Sequence, residues 1–543
     1  MRTSFTLATL TLLLAGLSPD STSARQVDPA AVDALFSQWD STTSPGCTVA
    51  VSEDHEVTLA RAYGMADLEH DVVNTPQTIL EPGSVSKQFT AAAAILLALD
   101  GELALDDDIR SYFPELPDYG EVITVRDLLN HTSGLRDWGS VAAIEGWPRT
   151  TRVHTHTQAL DIAARQESLN YGPGEHYSYT NTGYNLLAML VERVSGTSFA
   201  DFSRDRIFEP LGMTRTSWRD DYTRVVKGRG IAYRPDGTGG YRMNMPFENV
   251  HGNGGLLTTV EDLLRFSHAL ETGSLGGQAF IDEMHRQGVL NNGRVIAYAS
   301  GLFVDEYRGV RQVGHSGATA GYRGYSARYP DHGLAVAVMC NVASGNAGRL
   351  AHQVVDLYLG SALSDPPEAP TASVRIPRDR LVLMSGRFRN LRNHSLAVLD
   401  PTSEGLRGPW GRFVPQSGTR FDGPGGRAVE FSGDDAFTLL EANGDSLAFE
   451  RVSAWEPEQE ELESLTGTYH SPEAEATYTL DLRADRLMIQ DRYGDALVMS
   501  PLYRDAFRTG MGIVRVERDD RDRPVALVLT QSRVWGLRFD RVD

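Results

Sequence analysis

The residues in this chain with the most direct chemical use are a serine and a lysine three positions apart, in Gly83-Ser84-Val85-Ser86-Lys87. On a helix, positions i and i+3 share a face, so a hydroxyl and an amine at that spacing can touch. A serine hydroxyl is a weak nucleophile until a neighbouring base takes its proton, and a neutral or proton-sharing lysine is such a base. Ser-x-x-Lys is a common string by itself, but only two lysines, Lys87 and Lys227, stand among the 51 basic residues. Wherever charge alone is needed this chain uses arginine, which cannot lose its proton near neutral pH. Lys87 therefore has a chemical reason to be lysine, whereas Lys227 reads as an exposed charge. If Ser84 opens a helix, the helix N-terminus favours a developing oxyanion, and the Ser84 backbone N–H is a natural donor to it.

Two further strings stand alone in the chain. Tyr179-Thr180-Asn181 is the only Tyr-x-Asn among 20 tyrosines. A phenol near a cation can approach its ionised state and act as general base and then acid, while Asn181 can hydrogen-bond a substrate amide and Lys87. His315-Ser316-Gly317 is the only His-x-Gly among 14 histidines. A glycine there permits close approach of backbone to a ligand, an extended substrate can pair along that edge, and the N–H of Ala318 is a second oxyanion donor. Each string also has an ordinary structural reading, as a tyrosine at a helix entry or a half-buried strand histidine.

Taken together and in this order, Ser-x-x-Lys, Tyr-x-Asn and His-x-Gly resemble the serine β-lactamase and penicillin-recognising D,D-peptidase family. Val125-Arg-Asp-Leu-Leu-Asn-His131-Thr-Ser-Gly-Leu135, Ile207-Phe-Glu-Pro-Leu-Gly-Met213 and Gly254-Gly-Leu-Leu-Thr-Thr259 are similar to the branch with class C β-lactamases, D,D-carboxypeptidases and D-aminopeptidases. The resemblance covers about residues 30–360. It implies an α/β (α+β) catalytic domain with a central antiparallel sheet flanked by helices. It also implies that Ser84 is acylated, that Lys87 and Tyr179 share the proton transfers, and that Asn181, His315, Gly317 and Ala318 bind substrate, with no cofactor and no metal. Class C β-lactamases carry lysine where this chain has His315. That difference shifts the expected activity towards a D-amino-acid-specific peptidase or amidase acting on a small peptide or an acyl-amide or ester. A β-lactamase or esterase of the same fold, or a slowly acylated penicillin-binding or sensing protein, is the alternative. In this family the first and last strands are antiparallel neighbours, which would bring Cys47 near Cys340, either as a disulfide or as two buried thiols.

The elements that must position these groups are partly legible. Cys47–Val51, Val57–Tyr63 and Leu334–Met339 read as short apolar strands, and Ser84–Leu99, free of Gly and Pro and closed by Gly101, reads as a buried helix beginning at Ser84. A second helical run covers Asn185–Val194. Pro-rich residues 366–379 read as a linker after a catalytic domain over 25–365, which should stand alone if the rest is removed. Beyond the linker the pattern changes to short strands and tight turns, and Gly386-Arg-Phe388 … Leu447–Val452 is echoed by Gly467-Thr-Tyr469 … Leu537–Val542. Two all-β barrel-like units, 380–456 and 457–543, or two halves of one barrel, follow from that echo.

Residues 1–24, a short basic start followed by an apolar run and small residues up to Ala24, have the layout of a secretory signal peptide cleaved near Ala24, so a secreted or periplasmic protein is expected. No later apolar stretch is long enough to span a membrane. A net charge of −21 repels nucleic-acid phosphates and anionic lipid, arguing against both as partners. Two cysteines are too few for a thiolate metal site. His154 and His156 alternate in a segment that reads as solvated, without a third ligand at zinc-like spacing. The oligomeric state is not legible in the sequence.

Overall fold

The computed structural model describes residues 27–149, 151–365, 368–491 and 493–543. The expected signal peptide lies outside them. Strands β1 (Cys47–Glu53), β2 (Glu56–Tyr63), β3 (Phe303–Tyr307), β4 (Val310–Thr319), β5 (Tyr322–Tyr329) and β6 (Leu334–Cys340) form one antiparallel sheet in the order β2-β1-β6-β5-β4-β3. The first and last strands of the domain are thus neighbours at the centre, and Cys47 faces Cys340 in register. The two sulfurs are joined as a disulfide, closing a sequence separation of 293.

Strand β6 is buried along its whole length and β1 everywhere but Glu53, because both faces of the sheet are covered. Alternate side chains feed two cores. Val49, Val51, Val336 and Val338 enter one with Leu350, Ala351 and Val354 of the helix Ala347–Leu359. Ala50, Ala335, Ala337 and Met339 enter the other, with the helix α1 (Lys87–Leu99). All but two residues of α1 are buried. Such a helix is apolar all round because protein surrounds it, and its four consecutive alanines keep its surface slim where α2 (Asn181–Ser195) crosses it.

Both helices begin differently from the sequence expectation. Gly83–Ser86 forms a 3₁₀ turn, and the α-helix proper starts at Lys87. Gly83 has φ +58°, which forces the chain into this tight entry. Helix α2 starts at Asn181, four residues before the apolar run that marks it, because the Thr180 side chain caps it by accepting from Thr182 N.

The C-terminal part holds two all-β units. Eight strands from Gly386–Asn390 to Ser446–Arg451 close into a barrel, the first pairing with the last around a core that includes six phenylalanines. A nine-stranded sheet follows, whose first strand Gly467–Ser471 also pairs with its last, Val534–Arg541. Its two edges, Ala496–Val498 and Ser500–Tyr503, are consecutive in the chain, so this sheet is nearly closed. A short helix precedes each unit, Arg378–Met384 and Gln459–Ser464, so the echo seen in the sequence extends to helix, first strand and closing strand.

The upstream domain, expected to stand alone, shares a core with the nine-stranded unit. Trp138, Val141, Ala142, Ile144, Ala159, Ile162 and Val250 share one core with Tyr478, Leu480, Phe507, Leu537 and other residues of the nine-stranded unit. The shared seam also carries polar ties. Arg136, whose side chain is 1% exposed, donates to Glu473 Oε2 at 2.5 Å and to Trp535 O at 3.2 Å. Among the described residues no helix is long and apolar enough to cross a membrane.

Candidate active site

The nucleophile turn is held by close backbone contact. A Cβ on Gly317 would lie 1.9 Å from Pro82 O and 2.6 Å from Ser84 N, and a Cβ on Gly83 would lie 2.5 Å from Ala318 N. Only glycine at 317 lets β4 lie against the turn that carries Ser84. The nucleophile's own backbone approaches this glycine, which also lines the cleft. The same contact brings Ser84 and Ala318 together in the lining of one cleft.

Lys87 is fully buried, and its Nζ has three polar neighbours, Asn253 O at 2.7 Å, Asn181 Oδ1 at 3.0 Å and Ser84 Oγ at 3.3 Å. Burial first, then the positive charges of Arg533 and Arg149, hold its pKa well below the ordinary lysine range, with Asp137 opposing them. A neutral amine has two N–H bonds and one lone pair. Two of the neighbours, a carbonyl and an amide oxygen, can only accept and so take two N–H bonds, and in the neutral form the lone pair is what remains for the Ser84 hydroxyl.

Tyr179 lies over this pair, its ring centroid 4.7 Å from Lys87 Nζ. Its buried hydroxyl lies beside the Ser84 side chain. Burial raises its pKa, with Ser84 and Arg533 pulling the other way, so the resting group is a neutral phenol. Burial thus works against the ionised state that a phenol near a cation can approach. The segment bearing it is shaped by the Asn130–Leu135 string. His131 has φ +59°, its Nδ1 accepts from Thr180 N, and its carbonyl accepts from Ser178 N and the Tyr171 hydroxyl.

His315 is 3% exposed, with both ring nitrogens engaged. Nδ1 donates to Ser316 O, which leaves Nε2 to accept from the Tyr298 hydroxyl at 3.1 Å. Burial and the neighbouring Lys87 push its pKa down to about 3, so it is a neutral imidazole. Its ring edge lines the cleft beside Tyr177, Tyr179 and Phe303. Both ring nitrogens are thus engaged within the protein, while the residue lines the cleft where the sequence expects substrate.

The structure thus brings together Ser84, Lys87, Tyr179, Asn181, His315, Gly317 and Ala318 around one cleft of about 820 Å³ and its smaller extension of about 120 Å³. It also adds residues that no motif announced. Asp137 Oδ2 accepts from Asn181 N at 2.7 Å. Asn185 Nδ2 donates to Asn253 Oδ1 at 2.9 Å, orienting the loop whose carbonyl binds Lys87. Arg533 arrives from the nine-stranded unit, more than 350 residues beyond Tyr179. The only sequence signal for these was their neighbourhood, since Asp137 follows the His131 string and Asn253 precedes Gly254-Gly255. The expectation of a solvated His154–His156 segment is also corrected. His154 is fully buried against Trp138, and His156 stacks on His251, with Glu192 close enough that ligand-capable atoms of the three lie within 4.8 Å.

The Beta-lactamase family profile matches residues 32–359. A D-aminopeptidase of Brucella anthropi is 30% identical over 321 residues, 59% of this chain and 60% of that protein, so the match spans less than two thirds of that relative. A D-aminopeptidase of Brucella canis is 28% identical over 450 residues, 80% of this chain and 81% of that one. Among solved structures, the octameric penicillin-binding protein homologue from Pyrococcus abyssi superposes with a TM-score of 0.56 at 24% identity, covering 85% of this chain and 98% of that one. The D-amino acid amidase from Ochrobactrum anthropi SV3 gives 0.53 at 24% identity, over 62% and 99%. These superpositions speak to the fold. Because the profile takes in the Ser84 turn, the Tyr179 segment and the His315 strand alike, the chain belongs to the Beta-lactamase family.

Proposed function

We propose that this chain is an exported serine hydrolase that cleaves an amide or ester beside a D-amino acid through an acyl-enzyme on Ser84. The observation that carries the reading is the buried Lys87 Nζ, held by Asn181 Oδ1 and Asn253 O and only 3.3 Å from Ser84 Oγ. A protonated lysine there could only donate, but a neutral one can accept the hydroxyl proton as Ser84 attacks. The charge on the carbonyl oxygen falls between the N–H groups of Ser84 and Ala318. Tyr179, a neutral phenol between Lys87 and the cleft, donates its proton to the leaving nitrogen and regains one from Lys87. Water repeats the cycle in reverse to free Ser84.

Preference for D-amino-acid substrates is supported by the D-aminopeptidase relatives. Export is supported by the leader-like residues 1–24 and by the Cys47–Cys340 disulfide, which persists in oxidising compartments. Intact-mass analysis after a fluorophosphonate, with peptide mapping, is expected to place one adduct on Ser84. The Ser84→Ala protein is expected to take up none and to turn over no D-amino-acid amide, ester or peptide that the wild type cleaves, while keeping its fold. An adduct on another residue, or more than trace turnover by Ser84→Ala, would overturn the assignment.

A further inference from the structure

The cleft at Ser84 is lined by arginines and by no carboxylate. Arg533 and Arg323 line its wider part, Arg149 and Arg533 the narrower, and no Asp or Glu of the described residues lines either. Arg149 is neutralised by a bidentate pair with Glu248. The other two are not so matched. Arg323 donates to the carbonyls of Ala320 and Tyr322, and no carboxylate lies within ion-pair distance of it among the described residues.

Arg533 sits at the tip of the hairpin between Pro524–Gln531 and Val534–Arg541. Its backbone is fastened to the catalytic domain, since its carbonyl accepts from Asp137 N at 3.2 Å and from Asn170 Nδ2 at 3.1 Å. Trp535 N donates in turn to Asn170 Oδ1 at 2.7 Å. The guanidinium lies over the Tyr179 ring, 5.0 Å from its centroid. Its nearest carboxylate oxygen, Asp137 Oδ2, is 3.8 Å away and already accepts from Asn181 N. A guanidinium offers five donors in a planar fork suited to a carboxylate. This one is held by its main chain, is 37% exposed, lines the cleft, and makes no direct side-chain hydrogen bond among the described residues.

The same lining is hostile to an ammonium group, which would meet Arg533 and Arg323 and find no acid. Past Tyr177 and Phe303 lie Asp305 and Asp445, but Asp305 accepts from Gln312, and Asp445 is paired with Arg294 and Arg392.

We infer that Arg533, supplied by the C-terminal unit, binds a substrate carboxylate, so that the enzyme acts on D-peptides with a blocked amino end and a free carboxyl end, and not on substrates with a free α-amine. This rests on the D-peptide reading above and narrows it.

The test compares N-acetyl-D-Ala-D-Ala, its C-terminal amide and D-Ala p-nitroanilide on the full chain and on Arg533→Ala, Arg533→Lys and Arg533→Glu. The wild type is expected to favour the acid over the amide by at least about tenfold in kcat/KM, the order of one charge-assisted contact. That ratio is expected to fall to within about twofold in Arg533→Ala, to recover in part in Arg533→Lys, and to invert in Arg533→Glu. Calorimetry on Ser84→Ala reads the same acid-over-amide preference as binding, independently of turnover. The inference is overturned if the wild type is indifferent to the carboxylate, if the free-amine anilide is cleaved as well as the acid, or if Arg533→Ala lowers acid and amide equally. Cleavage of the anilide alone would leave the D-specific hydrolase standing and remove only the role of Arg533. A Ser84 that labels with fluorophosphonate in a protein that neither binds nor cleaves any of the three defeats the D-peptide reading and this inference with it.

Discussion

Lys87 owes its chemistry to what surrounds it. An arginine at 87 would keep the charge and lose the lone pair, so Lys87→Arg is expected to be as damaging as Lys87→Ala, each lowering kcat/KM by at least about 10³-fold through loss of the base. The direction of the pH dependence follows from the depressed pKa. Catalysis needs the neutral amine, so activity is lost only as pH falls through the folded-state value, and this acid limb should lie well below the ordinary lysine range. Stability has the matching sign. Below the ordinary lysine pKa near ~10.4 the unfolded chain holds more of this proton than folded Lys87 does, so stability rises with pH until that value is passed. Lys87→Met should flatten that rise in urea titrations between pH 7 and 10. An unchanged slope would show that the folded lysine is charged.

At the scale of elements, the site depends on a strand pressed against a turn. Gly317→Ala places a methyl 1.9 Å from Pro82 O, so β4 and the Ser84 turn must separate. Backbone against backbone leaves no flexible side chain to yield, and labelling of Ser84 by fluorophosphonate is expected to slow by at least about a hundredfold, the scale of one lost oxyanion donor. Labelling at the wild-type rate would show that Ala318 contributes nothing to acylation. The sheet itself is tied at its centre by Cys47 and Cys340. Both sulfurs belong to fully buried residues, so titration of the denatured, unreduced protein should find no free thiol, and replacing both cysteines by alanine should cost about 2–4 kcal/mol in denaturant unfolding. Two reactive thiols per chain would rule the bridge out.

At the scale of the whole molecule, the nine-stranded unit is part of the catalytic domain's interior. Ending the chain at residue 456 would strip Trp138, Val141, Ile144 and Val250 of the partners that bury them and leave the buried Arg136 guanidinium without Glu473. An uncompensated buried charge alone costs about 3–5 kcal/mol. The truncated protein is expected to aggregate, or to bind an apolar dye and melt well below the full chain. A soluble, well-folded 27–456 fragment with normal melting would show that the shared core is dispensable. The intermediate barrel, whose phenylalanine core is its own, does not face this test.

Much of the site was legible because chemistry restricts which residue types can do it. Two lysines among 51 basic residues mark the one that must lose a proton, and Tyr-x-Asn and His-x-Gly each occur once. Strands β1, β2 and β6 were legible through their apolar runs, as was the echo of the β units through its repeated ends. Helix starts were not, because a 3₁₀ turn at Gly83 and a threonine cap at 180 are decided by local backbone geometry that apolar periodicity does not register. The protonation states were decided only by folding. The same Lys87 is an ordinary ammonium in an unfolded chain, and burial among Arg149, Arg533 and two carbonyl oxygens holds its pKa well below that ordinary range. Arg533 is the clearest case. In the sequence it is one arginine among many in a β-rich tail. The closing of that unit onto Trp138 and Asn170 brings it over Tyr179, since a contact between residues 354 positions apart leaves no local pattern to read.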